Sequence, residues 1–139
     1  MSIAIIHHAN TNDLPLIAEF DEMGGNRRQE IDNHCCLVVE LGGETIAYAS
    51  FQPAALLGQP LLTYLCVASD LRGQGIGGRL VQAIQQIARG RMMLSSTEDW
   101  CVASQRIFIR LGWRKIGELA GVNKDGSTEY FYAIDLSPN

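Results

Sequence analysis

Leu61-Leu62-Thr63-Tyr64-Leu65-Cys66-Val67-Ala68-Ser69-Asp70-Leu71-Arg72-Gly73-Gln74-Gly75-Ile76-Gly77-Gly78 passes from an apolar run into a glycine-rich turn, and the chain continues as an amphipathic segment to Arg89. Leu61, Leu62, Leu65, Cys66 and Val67 are apolar on both parities of a two-residue period. That is the pattern of a strand covered on both faces, and so of a central one. Ile76, Leu80, Ala83, Ile84 and Ile87 recur at helical spacing, with Gln82, Gln85, Gln86 and Arg89 opposite, which predicts a helix with one buried face. Gly73, Gly75, Gly77 and Gly78 all lower helix propensity, so their concentration at one helix start implies that something approaches the backbone closely. Unpaired N–H groups and the helix dipole favour an anion there, and the expected guest is a phosphorylated cofactor.

Working outward, Ile3 to His8 reads as a first strand. Thr11 or Asn12 can cap a helix that runs to about Glu22, with Pro15 in its first turn. Gly24-Gly25 ends that helix, and Arg27 to Asn33 supplies a short second one. Cys36 to Leu41 and Glu44 to Phe51 flank Gly42-Gly43, a pair suited to the positive φ angles of a tight hairpin. Pro53 to Pro60 reads as a loop. Met92 to Ser95 is the next strand, parallel to the central one because a helix intervenes. Val102 to Leu111 is a further helix with Ala103, Ile107, Phe108 and Leu111 on one stripe, stopped by Gly112, after which Trp113 packs back. Trp113 to Leu119 and Thr128 to Leu136 are strands around the turn Asn123-Lys124-Asp125-Gly126. The expected fold is α/β (α+β): a mixed, mostly antiparallel sheet of six to seven strands with helices on both faces, in the order β-α-α-β-β-β-α-β-α-β-β.

The 139 residues, 47% of them hydrophobic, fit a single domain, residues 1–139, with one core. No apolar run reaches the roughly 18 residues of a membrane span, and no basic region precedes an apolar core at the N-terminus, which predicts a cytoplasmic protein without membrane partners. A net charge of -4 with no basic stripe argues against nucleic acid. Arg27-Arg28, followed by Glu30 and Asp32, reads as a mixed, solvated helix face. Cys35, Cys36, Cys66 and Cys101 have no C-x-x-C spacing and read as reduced, largely buried thiols. His7-His8 straddles a strand with no carboxylate at ligand spacing, so no metal is assigned.

Gly73-x-Gly75-x-x-Gly78 formally satisfies the dinucleotide fingerprint, with Glu98 near the ribose-binding spacing. Hairpins on either side of it do not fit the repeated parallel units of a dinucleotide fold. A nucleotide-triphosphate loop fits less well still, since no Lys-Ser or Lys-Thr follows the glycines. Val67 to Gly77, with Arg72-x-x-Gly75-x-Gly77 at its centre, instead resembles the acyl-CoA signature of the GNAT N-acetyltransferase superfamily. Ser96-Thr97 and Gln105-x-x-Phe108-x-x-Leu111-Gly112-Trp113 resemble that family's next strand and helix. The likeness is close from Leu61 to Trp113 and rests on element order before it.

The resemblance implies an acetyl-CoA-dependent N-acetyltransferase acting on a primary amine of a small molecule or protein by direct attack. The co-substrate would be held by Leu65, Cys66, Val67, Arg72, Gly73, Gln74, Gly75, Ile76, Gly77, Gly78, Cys101 and Phe108. The diphosphate would lie on the amides of Gly73 to Gly78, and the pantetheine arm would extend as a pseudo-strand beside Leu65 to Val67 where two strands splay apart. Relatives often carry a Glu, a Tyr and an Asn where this chain has Ser96, Phe108 and Cys101. An amine of pKa near 10.4 is neutral in only about one molecule per few thousand at neutral pH, so a base helps. Tyr64 is the candidate acid, with Tyr130 and Tyr132 behind it; Glu98 and Asp99 are candidate bases, or caps for the helix near Val102. The altered positions leave an acyl-CoA-binding module with weak or no turnover as the alternative. The acceptor pocket would be built from Asp13 to Asn33, Pro53 to Pro60 and the final hairpin. Dimers are common among such relatives, which leaves a homodimer open.

Overall fold

The computed structural model describes residues 3–136, so the extreme ends of the expected 1–139 domain lie outside it. One seven-stranded sheet is built from β1 (Ala4–His8), β2 (Cys36–Leu41), β3 (Glu44–Leu56), β4 (Gln59–Val67), β5 (Met92–Glu98), β6 (Arg114–Leu119) and β7 (Glu129–Asp135). Their spatial order is β1-β2-β3-β4-β5-β7-β6, which puts β4 at the centre as its two-sided apolar pattern requires. Every neighbouring pair is antiparallel except β4 and β5. These two are joined by α3 (Ile76–Ile87), the crossover that parallel strands need. The other helices are α1 (Leu14–Ala18), α2 (Arg27–Asp32) and α4 (Val102–Arg110).

Pleating sorts the core into two layers. Leu37, Val39, Ala47 and Ala49 face Leu80, Val81 and Ile84 of α3. Cys36, Val38, Tyr48 and Cys66 face the other way, against Ile17 of α1 and Ile31 of α2. Helices thus cover both faces, as expected. Each large aliphatic side chain sealed between layers contributes about 1.5–3 kcal/mol. Gly112, at φ +87°, stops α4, and Trp113 folds back so that its ring lies 4.9 Å from Phe108, which stacks on Tyr132 at 5.2 Å. Cys35, Cys36 and Cys66 are buried free thiols, and Cys101 is half-buried and free. Burial pushes the Cys36 thiol up to about 12, which keeps it inert at neutral pH. Among the described residues no helix is long and apolar enough to cross a membrane, and no three His, Cys, Asp or Glu side chains gather as a metal site.

Three local expectations need correction. The first cap is Asn10, whose side chain accepts from Asn12 N at 2.9 Å while Asp13 accepts from Asn10 N at 2.9 Å. This reciprocal capping box opens a 3-10 turn ahead of α1, so neither Thr11 nor Asn12 is the cap. The helix also ends at Ala18 and not near Glu22, because Asp21 turns its carboxylate to Met23 N, at 3.0 Å, and to Tyr48 Oη. A side chain that satisfies nearby backbone competes with helix propagation. Finally, Pro53 to Pro60 is a hairpin and not a loop: β3 runs on to Leu56, and Leu57-Gly58, both at positive φ, return the chain into β4. The register slips between Gln52 and Leu56, so Pro53 removes no ladder bond.

Candidate active site

β4 and β5 are paired at a single position, Leu61 opposite Leu94, although each runs on for several residues. Ser95 Oγ donates to the Leu62 carbonyl at 2.9 Å and ties the strands just where they part. Beyond that point they diverge. Ala68 N–H donates to Ile46 of β3 at 2.9 Å, so the alternating pleat turns the N–H groups of Val67 and Leu65 away from β3 and into the gap. A central strand here presents what only an edge normally does, a backbone ready for an added strand.

The gap opens onto a groove of about 560 Å³ whose floor is the start of α3. Gly75 is the N-cap at φ +84°, with no side chain bonding the first-turn amides, and a Cβ placed on it would meet no atom within 4 Å. The conformation demands glycine, and the space over it is open to a ligand. Gly77 is glycine for another reason, since a Cβ there would come within 3.1 Å of Ile107 Cδ1 on α4. Arg72 leaves the groove's edge to donate to the Val67 carbonyl at 3.0 Å and to pair with Glu22 at 3.1 Å. Free amides, an absent side-chain cap and a bare glycine surface suit a diphosphate.

Of the residues assigned to the co-substrate, Leu65, Cys66, Val67, Arg72, Gly73, Gly75, Ile76, Gly77, Gly78 and Cys101 line this one groove. Gln74 is exposed outside its lining. Phe108 is a correction, because it is 3% exposed in the core against Trp113 and Tyr132 and does not line the groove, whereas its neighbour Ile107 is among the α4 residues that do. Among the other candidates, Tyr132 is buried and Tyr130 lies beneath the Lys115 ammonium. Asp99 does not cap α4: its carboxylate accepts from Thr128 N at 3.2 Å, tying β5 to the last hairpin, and α4 has no side-chain cap.

Tyr64 points to the opposite face of β4 and lines a second cavity of about 440 Å³ between α2, β3 and β4. Asn26, Gln29, Glu30 and Asn33 give that cavity a polar wall, and Pro53 closes its far side. Behind the wall lies Arg27, which corrects the reading of a solvated basic pair. Arg28 is exposed, but Arg27 is 8% exposed. Its guanidinium sits between the rings of Tyr48 and Tyr64, 4.6 and 4.5 Å from their centroids, and donates to Tyr48 Oη and the Gly24 carbonyl. Its Nε lies 3.0 Å from Glu30 Oε1, and Asp21 is 3.9 Å from Nη1. Tyr48 in turn donates to Asp21 at 2.6 Å. Burial raises the Glu30 carboxyl above its ordinary range and Arg27 offsets only part of this, while burial and the bond to Asp21 push the Tyr48 phenol up. Glu30 was not singled out from sequence, because its only local signal is Arg27 three residues earlier.

A sequence profile of the Acetyltransferase (GNAT) family matches residues 5–113. No curated protein matches the chain. Among solved structures, an acetyltransferase of the GNAT family from Bacillus cereus superposes with a TM-score of 0.86 at 17% identity, covering 98% of this chain and 99% of that one. A Salmonella typhimurium protein solved with its cofactor acetyl-CoA gives 0.81 at 20% identity, over 99% and 96% of the two chains. A ribosomal-protein-alanine N-acetyltransferase from Brucella melitensis gives 0.81 at 25% identity, over 95% and 99%. Sheet order, splayed central strands, uncapped glycine turn and a profile running from β1 to Trp113 agree: the chain belongs to the GNAT acetyltransferase family.

Proposed function

We propose that the protein transfers the acetyl group of acetyl-CoA to a primary amine of a small molecule or protein by direct attack, in the cytoplasm where that thioester is available. The observation that carries this reading is the lone β4–β5 pairing at Leu61 and Leu94 beside the uncapped start of α3. The amides of Gly73 to Gly78 hold the diphosphate, and the backbone of Leu65 to Val67 pairs with the pantetheine amides. The Leu65 N–H, aimed into the gap, polarises the thioester carbonyl and stabilises the oxyanion as the amine adds.

The amine arrives through the second cavity, on the other side of Tyr64. Glu30 is the carboxylate in its wall and accepts the ammonium proton, which frees the lone pair for attack on the carbonyl carbon. Burial suits it to this, since a base whose pKa lies closer to neutrality transfers protons more efficiently. When the C–S bond breaks, Tyr64 Oη, which has no hydrogen bond among the described residues, supplies the proton to the thiolate and is reprotonated by the second proton that the nitrogen sheds as it becomes a neutral amide. Arg27 keeps Glu30 and Tyr64 in place. With Asp21 and Glu30 against one guanidinium the cluster carries a carboxylate in excess, which favours a cationic acceptor.

Release of free thiol, followed over a panel of small amines and peptides bearing free N-termini, tests the activity. Acceptor-dependent release is expected. Binding of acetyl-CoA without release on any amine would favour the second reading, a binding module, which Ser96 and Phe108 at the positions of relatives' Glu and Tyr motivate. Glu30→Gln lowers kcat/KM by about 10²–10⁴ and removes the acidic limb of its pH profile, with acetyl-CoA affinity unchanged. That limb lies above the ordinary carboxylate range in the native enzyme, because burial raises the Glu30 carboxyl by more than Arg27 lowers it, and Asp21 adds to the rise. A variant that keeps the limb would remove Glu30 from the mechanism. Tyr64→Phe lowers kcat more than KM, and an unaltered kcat would leave Tyr64 as packing only.

A further inference from the structure

The cavity beside Tyr64 is charged at one point only. Four of the six residues of α2 are charged, and they are sorted: Arg28 and Asp32 are exposed outside the cavity lining, Arg27 is buried behind it, and Glu30 alone belongs to it. Asn26 and Asn33, the two caps of α2, share the face of Glu30 with Gln29, and Gln52 and Thr63 complete the polar lining from β3 and β4. No lysine or arginine lines the cavity. Arg27 has little left to give a ligand, because its guanidinium is engaged by Tyr48 Oη, the Gly24 carbonyl and Glu30. The carboxamides are in the opposite state. Among the described residues the side chains of Gln29, Asn33 and Gln52 make no hydrogen bond, and Asn26 uses only its oxygen, which accepts from Gln29 N at 3.1 Å. Thr63 Oγ1 donates to the Leu61 carbonyl at 3.2 Å and keeps its lone pairs.

An amide both donates and accepts, and so does a hydroxyl, so a wall of free carboxamides is matched by a ligand that carries several hydroxyl groups. Other amines leave something unpaired. A carboxylate on the acceptor meets Glu30 and no cation, a like-charge contact. A purely aliphatic or aromatic amine strips water from the amides and returns no hydrogen bond. The second ammonium of a polyamine finds no second carboxylate in the lining. We propose that the acceptor is a polyhydroxylated primary amine without a carboxylate, an amino sugar or amino polyol, oriented by the carboxamide wall while Glu30 takes its ammonium proton. The cavity volume of about 440 Å³ is that of a small-molecule site. The assignment rests on the proposed acetyl transfer, and it names the substrate class of that same acceptor cavity.

Thiol release from acetyl-CoA with glucosamine, cyclohexylamine and glucosaminate as acceptors tests it, each rate referred to the neutral amine present. Cyclohexylamine keeps a six-membered ring and loses the hydroxyls, whereas glucosaminate keeps hydroxyls and adds a carboxylate. Glucosamine should exceed each of the other two by at least about a hundredfold in kcat/KM, the scale of two unmet hydrogen bonds or one like-charge contact. Gln29→Leu/Gln52→Leu, two changes at exposed positions, should cut the preference over cyclohexylamine at least about tenfold, chiefly through the acceptor KM, with the KM for acetyl-CoA and the melting temperature near native. Gln52→Arg, which supplies the missing cation, should raise glucosaminate relative to glucosamine. Cyclohexylamine or a peptide with a free N-terminus acetylated as well as glucosamine, or a double variant that keeps the native preference, would overturn the assignment and leave acetyl transfer standing. No release with any amine or peptide would remove the transferase reading and this one together.

Discussion

Gly75→Asp reduces acetyl-CoA affinity by at least about a thousandfold while the protein stays folded. Gly75 holds a left-handed conformation at the N-cap of α3, and the Cβ direction opens onto the groove with nothing within 4 Å. The new carboxylate therefore enters the space assigned to the diphosphate. At 4 Å and an effective dielectric near 20, one pair of like charges costs about 4 kcal/mol, equivalent to about three powers of ten in Kd. Strain is the smaller effect, about 1–2 kcal/mol for a residue with a side chain, and Asp is among the more tolerant. Gly75→Ala separates the two, since it carries the strain without the charge and should bind far better than the Asp variant at similar thermal stability. Titration with acetyl-CoA beside a melting curve reads both quantities. Native affinity in the Asp variant would place the diphosphate elsewhere.

The same stretch explains why so much of the fold could be read in advance. A strand buried on both faces has to be apolar at every position, and a backbone that meets phosphate has to be glycine; both demands are local and leave marks in composition. The parts that escaped are those decided at a distance or by small rotations. Asn10, Thr11 and Asn12 can each cap a helix, and the reciprocal bond from Asp13 selects Asn10. Ile107 and Phe108 lie on one stripe, and the close approach of α4 to Gly77 brings the first to the groove and leaves the second in the core. Pro53 argues against a strand until a register slip makes its missing N–H harmless. Arg27 resembles any surface arginine of a short helix, because Tyr48 and Tyr64, which enclose it, are brought in by β3 and β4 from far along the chain.

That enclosure makes Arg27→Met the most destabilising single change expected in the molecule. It removes the guanidinium between two aromatic rings and leaves Glu30 and Asp21 without their cation in a largely buried site. Removing one partner of a buried pair costs about 3–5 kcal/mol, a large share of the roughly 5–15 kcal/mol that holds a domain together. The melting temperature should fall by roughly 10 °C or more. The pH dependence identifies the cause. Burial already raises the Glu30 carboxyl, and loss of Arg27 removes what held it down, so the variant's native state binds a proton more tightly than its unfolded state. Stability of the variant then rises as pH falls toward the ordinary carboxylate value, and its deficit against the native protein narrows from pH 7 to pH 5. Arg27→Met/Glu30→Gln, which takes away the charge left exposed to burial, should recover part of the loss. Urea unfolding at the two pH values measures all three proteins; a deficit that does not change with pH would trace the loss to packing around the tyrosines and not to the unpaired carboxylate.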